Sequence, residues 1–266
     1  MDATLSEWLN LLVRWFHVVA GITWLGQTYL FNRLEGRLAA AAREAGSAEA
    51  IWLVHSGGFY VVAKESSPAR LPRTLYWFKW ESALTWISGF LLLLIVYYGG
   101  GLMVTEETGF GRAVGTGLGM LVVAWLVYDG VCRSPLGRSE AGTAGVGFAL
   151  IVAVAWGLTR LMSGRAAYIH VGAMFGTIMA ANVWSLILPT QRRMIALLAE
   201  GKRLDPAMES QAMLRTRHNT YLSVPVVFLM LSNHFPTVSY GHACNWIMLG
   251  ILVLLGWAAA HVMRRL

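Results

Sequence analysis

The chain has 266 residues, of which 56% are hydrophobic and 13% charged, with twelve tryptophans. A single water-soluble core of this length cannot bury that much apolar surface, so a soluble globular enzyme is excluded and a polytopic membrane protein is expected. The formal charge of +7 would suit a nucleic-acid partner, but the basic residues alternate between loops in the manner of membrane orientation, which excludes nucleic acid too.

Apolar runs able to cross a hydrocarbon core of about 30 Å occur near 8–31, 76–98, 113–131, 143–161, 166–188, 218–233 and 243–263. They predict an all-α, polytopic helical bundle of about seven transmembrane helices forming one domain over 1–266, with cytoplasmic segments at 32–75 and 189–217. Six basic residues fall in the first loop (Arg33, Arg37, Arg43, Lys64, Arg70, Arg73), two in the third (Arg133, Arg138), six from Arg192 to Arg217, and two at the end (Arg264, Arg265). The opposite loops hold three, Arg112, Arg160 and Arg165, beside Glu106 and Glu107. This asymmetry predicts an N-terminus outside and a C-terminus in the cytoplasm, with membrane lipid as the surrounding partner. Asp2 and Glu7 stand where a secretory signal would carry lysine or arginine, so the first helix is expected to remain uncleaved. Cys132 and Cys244 fall near opposite faces and cannot pair, and without a C-x-x-C-H no c-type haem attaches covalently to these residues.

In chain order, the first span carries the densest chemistry. At helical spacing Asn10, Arg14, His17, Gly21, Trp24 and Thr28 share one stripe. Buried arginine in a membrane helix costs roughly 2.5–3.5 kcal/mol on insertion scales unless it meets a partner, a cofactor or water. The stripe is therefore expected to face inward. The alanine-rich stretch 39–55 predicts a cytoplasmic helix ending in the turn HSGGFY, His55 to Tyr60. After a proline-bounded break, Tyr76 to Glu81 forms an aromatic girdle in which Lys79 snorkels or meets an anionic ligand. Asp129, near the cytoplasmic end of the third span, is expected to be solvated or paired with Arg133.

The fifth span places His170, Thr177, Ala181 and Trp184 on one stripe and the small residues Gly172, Gly176 and Ala180 on a separate ridge suited to close helix packing. Beyond it, Pro189 to Arg193 opens a basic amphipathic helix that breaks at Gly201, and Asp205-Pro206 caps the next one. Pro225 is expected to kink the sixth span, whose outer end carries His234.

Seven histidines sort by depth, with His17, His170, His234 and His242 toward the outside and His55, His218 and His261 toward the cytoplasm. A single membrane histidine is most simply a hydrogen-bonded packing residue. Two that face each other can hold a haem iron from both sides through neutral imidazoles. His17 and His170 are the expected pair for a haem b, with His234 the alternative ligand and Arg14 placed for a propionate or an anionic substrate. No clustered cysteines or close histidine pair specify zinc or copper.

The blocks RWFHVVAGITWLG (Arg14 to Gly26), HSGGFY (His55 to Tyr60), PARLPRTLYWFKWESALTWISGF (Pro68 to Phe90), HVGAMFGTIMAANVW (His170 to Trp184) and RHNTYLSVPVVFLMLSNHFP (Arg217 to Pro236) resemble the membrane domain of the bacterial cytochrome c-linked urate oxidases, or urate hydroxylases. The blocks run in order over nearly the whole chain. Members of that family look like a multi-helix membrane domain followed by one more helix and a periplasmic cytochrome c domain. This sequence ends at Leu266 without either, so the resemblance implies a separate cytochrome c or another electron acceptor. It implies an inner-membrane oxidoreductase for urate or a related purine, with His17, His55, His170, His218 and His234 as motif histidines and Lys79, Asn182, Gln191 and Asn219 as polar companions. The expected roles are catalysis for His55, His218 and Lys79 and substrate binding for Asn219, Asn182 and Gln191, converging on the cytoplasmic side. Two rival expectations are a purine transporter built on the same polar stripe and a haem-b electron-transfer subunit with no small-molecule substrate.

Overall fold

The computed structural model describes residues 3–45, 50–65, 68, 71–103 and 109–265; Asp2, Arg70, Glu106 and Glu107 lie outside the described residues. The chain folds as an α-helical bundle. Its first helix, α1 (Ala3–Ala45), has 43 residues, about 64 Å at 1.5 Å per residue, so it runs far beyond the expected end of the first span. Nothing between Phe31 and Ala45 stops it, and the alanines at 39–42 are the strongest helix formers available.

The expected helix over 39–55 is corrected in its second half. Ile51–His55 forms β1, paired antiparallel with β2 (Gly58–Val62) in a register that sets Ile51 opposite Val62 and His55 opposite Gly58. The reason is local: IWLV is β-branched and aromatic, and Ser56 and Gly57 take φ of 49° and 77°. These are the left-handed values that a two-residue hairpin turn demands. One face of the hairpin lays Ile51 and Leu53 into a hollow beside Leu30 and Leu34 of α1. The other leaves Trp52, Val54, Phe59 and Val61 exposed. Lys64, just past the hairpin, is bridged to Glu35 of α1 at 3.0 Å and to Glu209 at 3.3 Å. Burial works to lower the lysine's pKa, yet the two carboxylates outweigh it and raise it, so the lysine's charge contributes fully below its ordinary value of 10.5 and that contribution is lost as pH climbs through the raised one.

The remaining helices are α2 (Trp80–Leu92), which runs on as a π-helical segment Leu93–Tyr98, α3 (Phe110–Arg133), α4 (Glu140–Leu161) and α5 (Gly164–Ala181). A π-helical turn over Asn182–Ile187 joins α5 to α6 (Leu188–Ala199), and α7 (Pro206–Leu231) and α8 (Asn245–Arg265) complete the bundle. Among the described residues six helices are long and apolar enough to cross a membrane: α1, α2 with its π segment, α3, α4, α5 with α6, and α8. The seventh expected span, 218–233, is the second half of α7, whose Arg215, Arg217, His218 and Asn219 keep it outside that set.

The expected punctuation after the fifth span is present. Gly201 turns the chain at φ 69°, and the Asp205 carboxylate accepts from the Ala207 amide with Pro206 at the first helical position. Helix α5 is the most buried element and packs against α2, α3, α4 and α7. Of the expected small-residue ridge, Gly172 lies against Leu229 and Met230 of α7 and Ala180 is buried, whereas Gly176 has open space beside it. Pro225 lies inside α7 and is received by Gly256 of α8, where an added Cβ would sit 2.7 Å from the proline ring and 2.9 Å from its backbone nitrogen.

Two ends of the bundle can be named by what they carry: the amino end, where α1 begins, and the hairpin end. Replacing Gly256 by alanine drives a methyl group into a proline that cannot turn aside. Thermal unfolding in detergent is expected to show a loss of about 1–3 kcal/mol.

Candidate functional site

Toward the hairpin end, α3, the π turn and α7 enclose a polar network. Its centre is Arg215, 3% exposed, whose guanidinium donates to the Asp129 carboxylate at 2.6 Å and to Asn182 Oδ1 at 3.4 Å and stacks over the Tyr128 ring at 4.9 Å. Arginine only donates, so the carbonyl side of the Asn182 amide faces it and the rest of the chain of bonds is oriented in turn. Asn182 Nδ2 donates to the Tyr128 hydroxyl at 3.0 Å and to Asn219 Oδ1 at 2.9 Å, and Asn219 Nδ2 donates to the Met179 carbonyl at 3.0 Å. The Tyr128 hydroxyl, which accepts from Asn182, also shares a hydrogen bond of 2.8 Å with His218 Nδ1. Cys132 Sγ lies 3.8 Å from the same Nδ1.

Helix α1 joins this network from the side through Tyr29 to Ser223 at 2.8 Å and Asn32 to Thr220 at 2.9 Å. Asn182, which donates to two acceptors, is the first residue of the π turn. Such turns interrupt the regular helical ladder, and they recur at functional sites.

His17 and His170 share a second pattern. His17 Nδ1 is 3.0 Å from the Thr85 carbonyl, so Nδ1 carries the proton and Nε2 presents a lone pair. Nε2 has no hydrogen-bond partner among the described residues. The ring packs on Gly89 of α2, where an added Cβ would lie 2.8 Å from Cε1. His170 Nδ1 is 2.8 Å from the Ala166 carbonyl, and its Nε2 accepts from the Tyr98 hydroxyl at 3.0 Å beside Gly117 of α3, where a Cβ would lie 2.7 Å away.

Each imidazole thus has the tautomer of a metal-ligating histidine, anchored through Nδ1 and cradled by a glycine. The two rings rest at different points of α2 and its π segment, His17 at Gly89 and His170 at Tyr98, nine residues on. His170 Nε2 is engaged by the Tyr98 hydroxyl, whereas His17 Nε2 has no such partner among the described residues. The residues present fit a haem with His17 as a ligand, and a second bond from His170 would require its Nε2 to give up the Tyr98 hydroxyl.

The other expected site residues scatter. Arg14 is exposed and bonds its own helix, reaching Asn10 Oδ1 at 2.9 Å, because it lies at the edge of the stripe, about 60° around the helix from His17. His55 sits on the exposed strand beside the hairpin turn, Gln191 is exposed on α6, and His234 is exposed just past α7. Lys79 lies over the Trp77 and Trp80 rings at 5.9 and 5.4 Å, just ahead of α2. So of the residues expected to converge, His218, Asn219 and Asn182 do meet, whereas His55, Lys79 and Gln191 stay outside the network.

Arg215 and Tyr128 were not expected there. Arg215 counts with the loop charges by position, yet its spacing of three and four residues from His218 and Asn219 puts all three on one helical face, and that signal was readable. Asp129 does pair with Arg133, at 2.6 Å, and holds Arg215 with its other oxygen.

The family model described as urate oxidase N-terminal matches residues 3–265 of the chain. No curated protein and no solved structure matches it.

Removing the Asp129 carboxylate leaves the Arg215 charge buried without its counter-ion. Asp129→Ala is expected to cost about 3–5 kcal/mol in thermal unfolding, and the double variant Asp129→Leu with Arg215→Met is expected to recover most of that loss.

Proposed function

Because the chain belongs to the urate oxidase N-terminal family, we propose that it is an oxidoreductase of the bacterial inner membrane that oxidises urate. In that reaction water adds at C5, 5-hydroxyisourate forms, and two electrons and two protons leave for a separate cytochrome c or another acceptor. The observation that carries the proposal is the family match over almost the entire chain, residues 3–265. The chemistry of the buried network agrees with it.

An anionic purine calls for a cationic group and amides, and Arg215, Asn182 and Asn219 gather both; urate would take over bonds that Asn182 now makes to Tyr128 and Asn219. A proton delivered to the Tyr128 oxygen would be matched by the one that Tyr128 passes to His218 Nδ1, so this pair serves as the proton outlet. With the loop charges setting the N-terminus outside, the network lies toward the cytoplasm, where purine breakdown supplies urate. A haem b bound through His17 Nε2 would supply one-electron carriage toward the acceptor. His17 itself is oriented by the Thr85 carbonyl.

The test is anaerobic addition of urate to membranes containing the protein, with cytochrome c present and a visible spectrum taken before and after. Urate should disappear as cytochrome c is reduced, two equivalents per urate, and a b-type band should appear. Radiolabelled urate that accumulates in vesicles without any oxidation product would replace this function with purine transport. A b-type band that urate leaves oxidised would mark an electron-transfer subunit instead. Arg215→Lys keeps the charge but loses the planar fork, and kcat/KM for urate is expected to fall by about 10²-fold, measured on protein shown to be folded by gel filtration.

A further inference from the structure

At the amino end, far from the buried network, four side chains from four helical segments gather with their donors outnumbering their acceptors. Asn233, just past α7, accepts through Oδ1 from the Tyr97 hydroxyl at 2.8 Å and from Arg165 Nε at 3.0 Å. Since arginine cannot accept, the amide orientation is fixed, and Nδ2 points the other way. Nδ2 is buried and has no partner. Buried amide N–H groups are nearly always satisfied, so an unpaired one marks the place of a group that the protein does not itself supply.

One positive charge, Arg165, stands beside it, and that of Arg14 reaches the neighbouring Tyr97 hydroxyl. Neither arginine takes part in any of the ion pairs among the described residues. Arg14 is tied only to the neutral Asn10 and is exposed, which leaves the cluster open on the α1 side. Two guanidinium groups and a buried N–H, with no carboxylate among the described residues to answer them, have one chemical complement: a small anion.

We propose that Arg14, Arg165 and Asn233 form an anion-binding site at the amino end of the bundle, for a ligand that presents two acceptor oxygens along one edge. Carboxylates offer that edge in solution, the urate monoanion offers a carbonyl oxygen beside a deprotonated ring nitrogen in its place, and a phospholipid phosphate offers two oxygens from the bilayer. The site is independent of the oxidation proposed above, because it shares no residue with the Arg215 network.

Asn233→Asp is the variant that isolates it. One carboxylate oxygen keeps the bonds from Tyr97 and Arg165, and the other replaces Nδ2 with a fixed negative charge that occupies the ligand's place. The full chain in nanodiscs of zwitterionic lipid, titrated calorimetrically with urate, acetate and inorganic phosphate, should bind at least one of them. Asn233→Asp should weaken that binding by about tenfold or more, through like-charge repulsion, while melting at the same temperature or higher. Arg165→Gln should weaken it as well. Binding that fades in nanodiscs of anionic lipid identifies the bilayer phosphate as a competing occupant of the same site. Wild-type protein that binds none of the three anions in zwitterionic lipid and shows no preference for anionic lipid would overturn the proposal, as would an Asn233→Asp protein that binds as tightly as wild type.

Discussion

The interaction on which the structure turns is the contact between Arg215 and Asp129. A guanidinium buried to 3% exposure cannot stand in a bundle of apolar helices without a counter-ion and a full set of acceptors, because taking its charge out of water costs several kcal/mol. Asp129 supplies the charge, and Asn182 and the Tyr128 face supply the rest. From that one requirement follows the orientation of both amides, since Asn182 must turn its oxygen to the arginine and its nitrogen to Tyr128 and Asn219.

The histidines of α1 and α5 show the same economy in a different form. Each donates its Nδ1 proton to a backbone carbonyl and lays its ring against a glycine on a neighbouring helix, His17 through Cε1 and His170 through Nε2. The arrangement fixes the orientation of both rings. What separates them is depth and partnership: the nitrogen of His170 is already engaged by Tyr98, and that of His17 is not.

Periodicity and composition revealed the helices and their order, because a membrane helix must be apolar over a fixed length and carries its signal in every residue. The family resemblance came from the sequence blocks, and it was the resemblance that pointed to His218, Asn219 and Asn182. Three things were hidden. The hairpin over 51–62 was masked by the alanines before it, which extend a helical pattern up to the point where Ser56 and Gly57 reverse the chain. Arg215 passed for a loop charge because loop charges and buried charges look alike until the helix around them is placed. The separation of His17 from His170 depends on how helices lean and stagger, which no single helix encodes.

The π turn at Asn182–Ile187 has a further effect on the bundle. Accommodating one extra residue there is equivalent to advancing everything downstream by one position, a rotation of about 100° about the helix axis. Helix α6 therefore continues the line of α5 while presenting a different side to its neighbours, with Leu188 turned inward and Gln191 turned out. A segment that is buried on nearly every side becomes, within two turns, one that rides on the surface. The amide that completes the arginine's shell sits at the pivot.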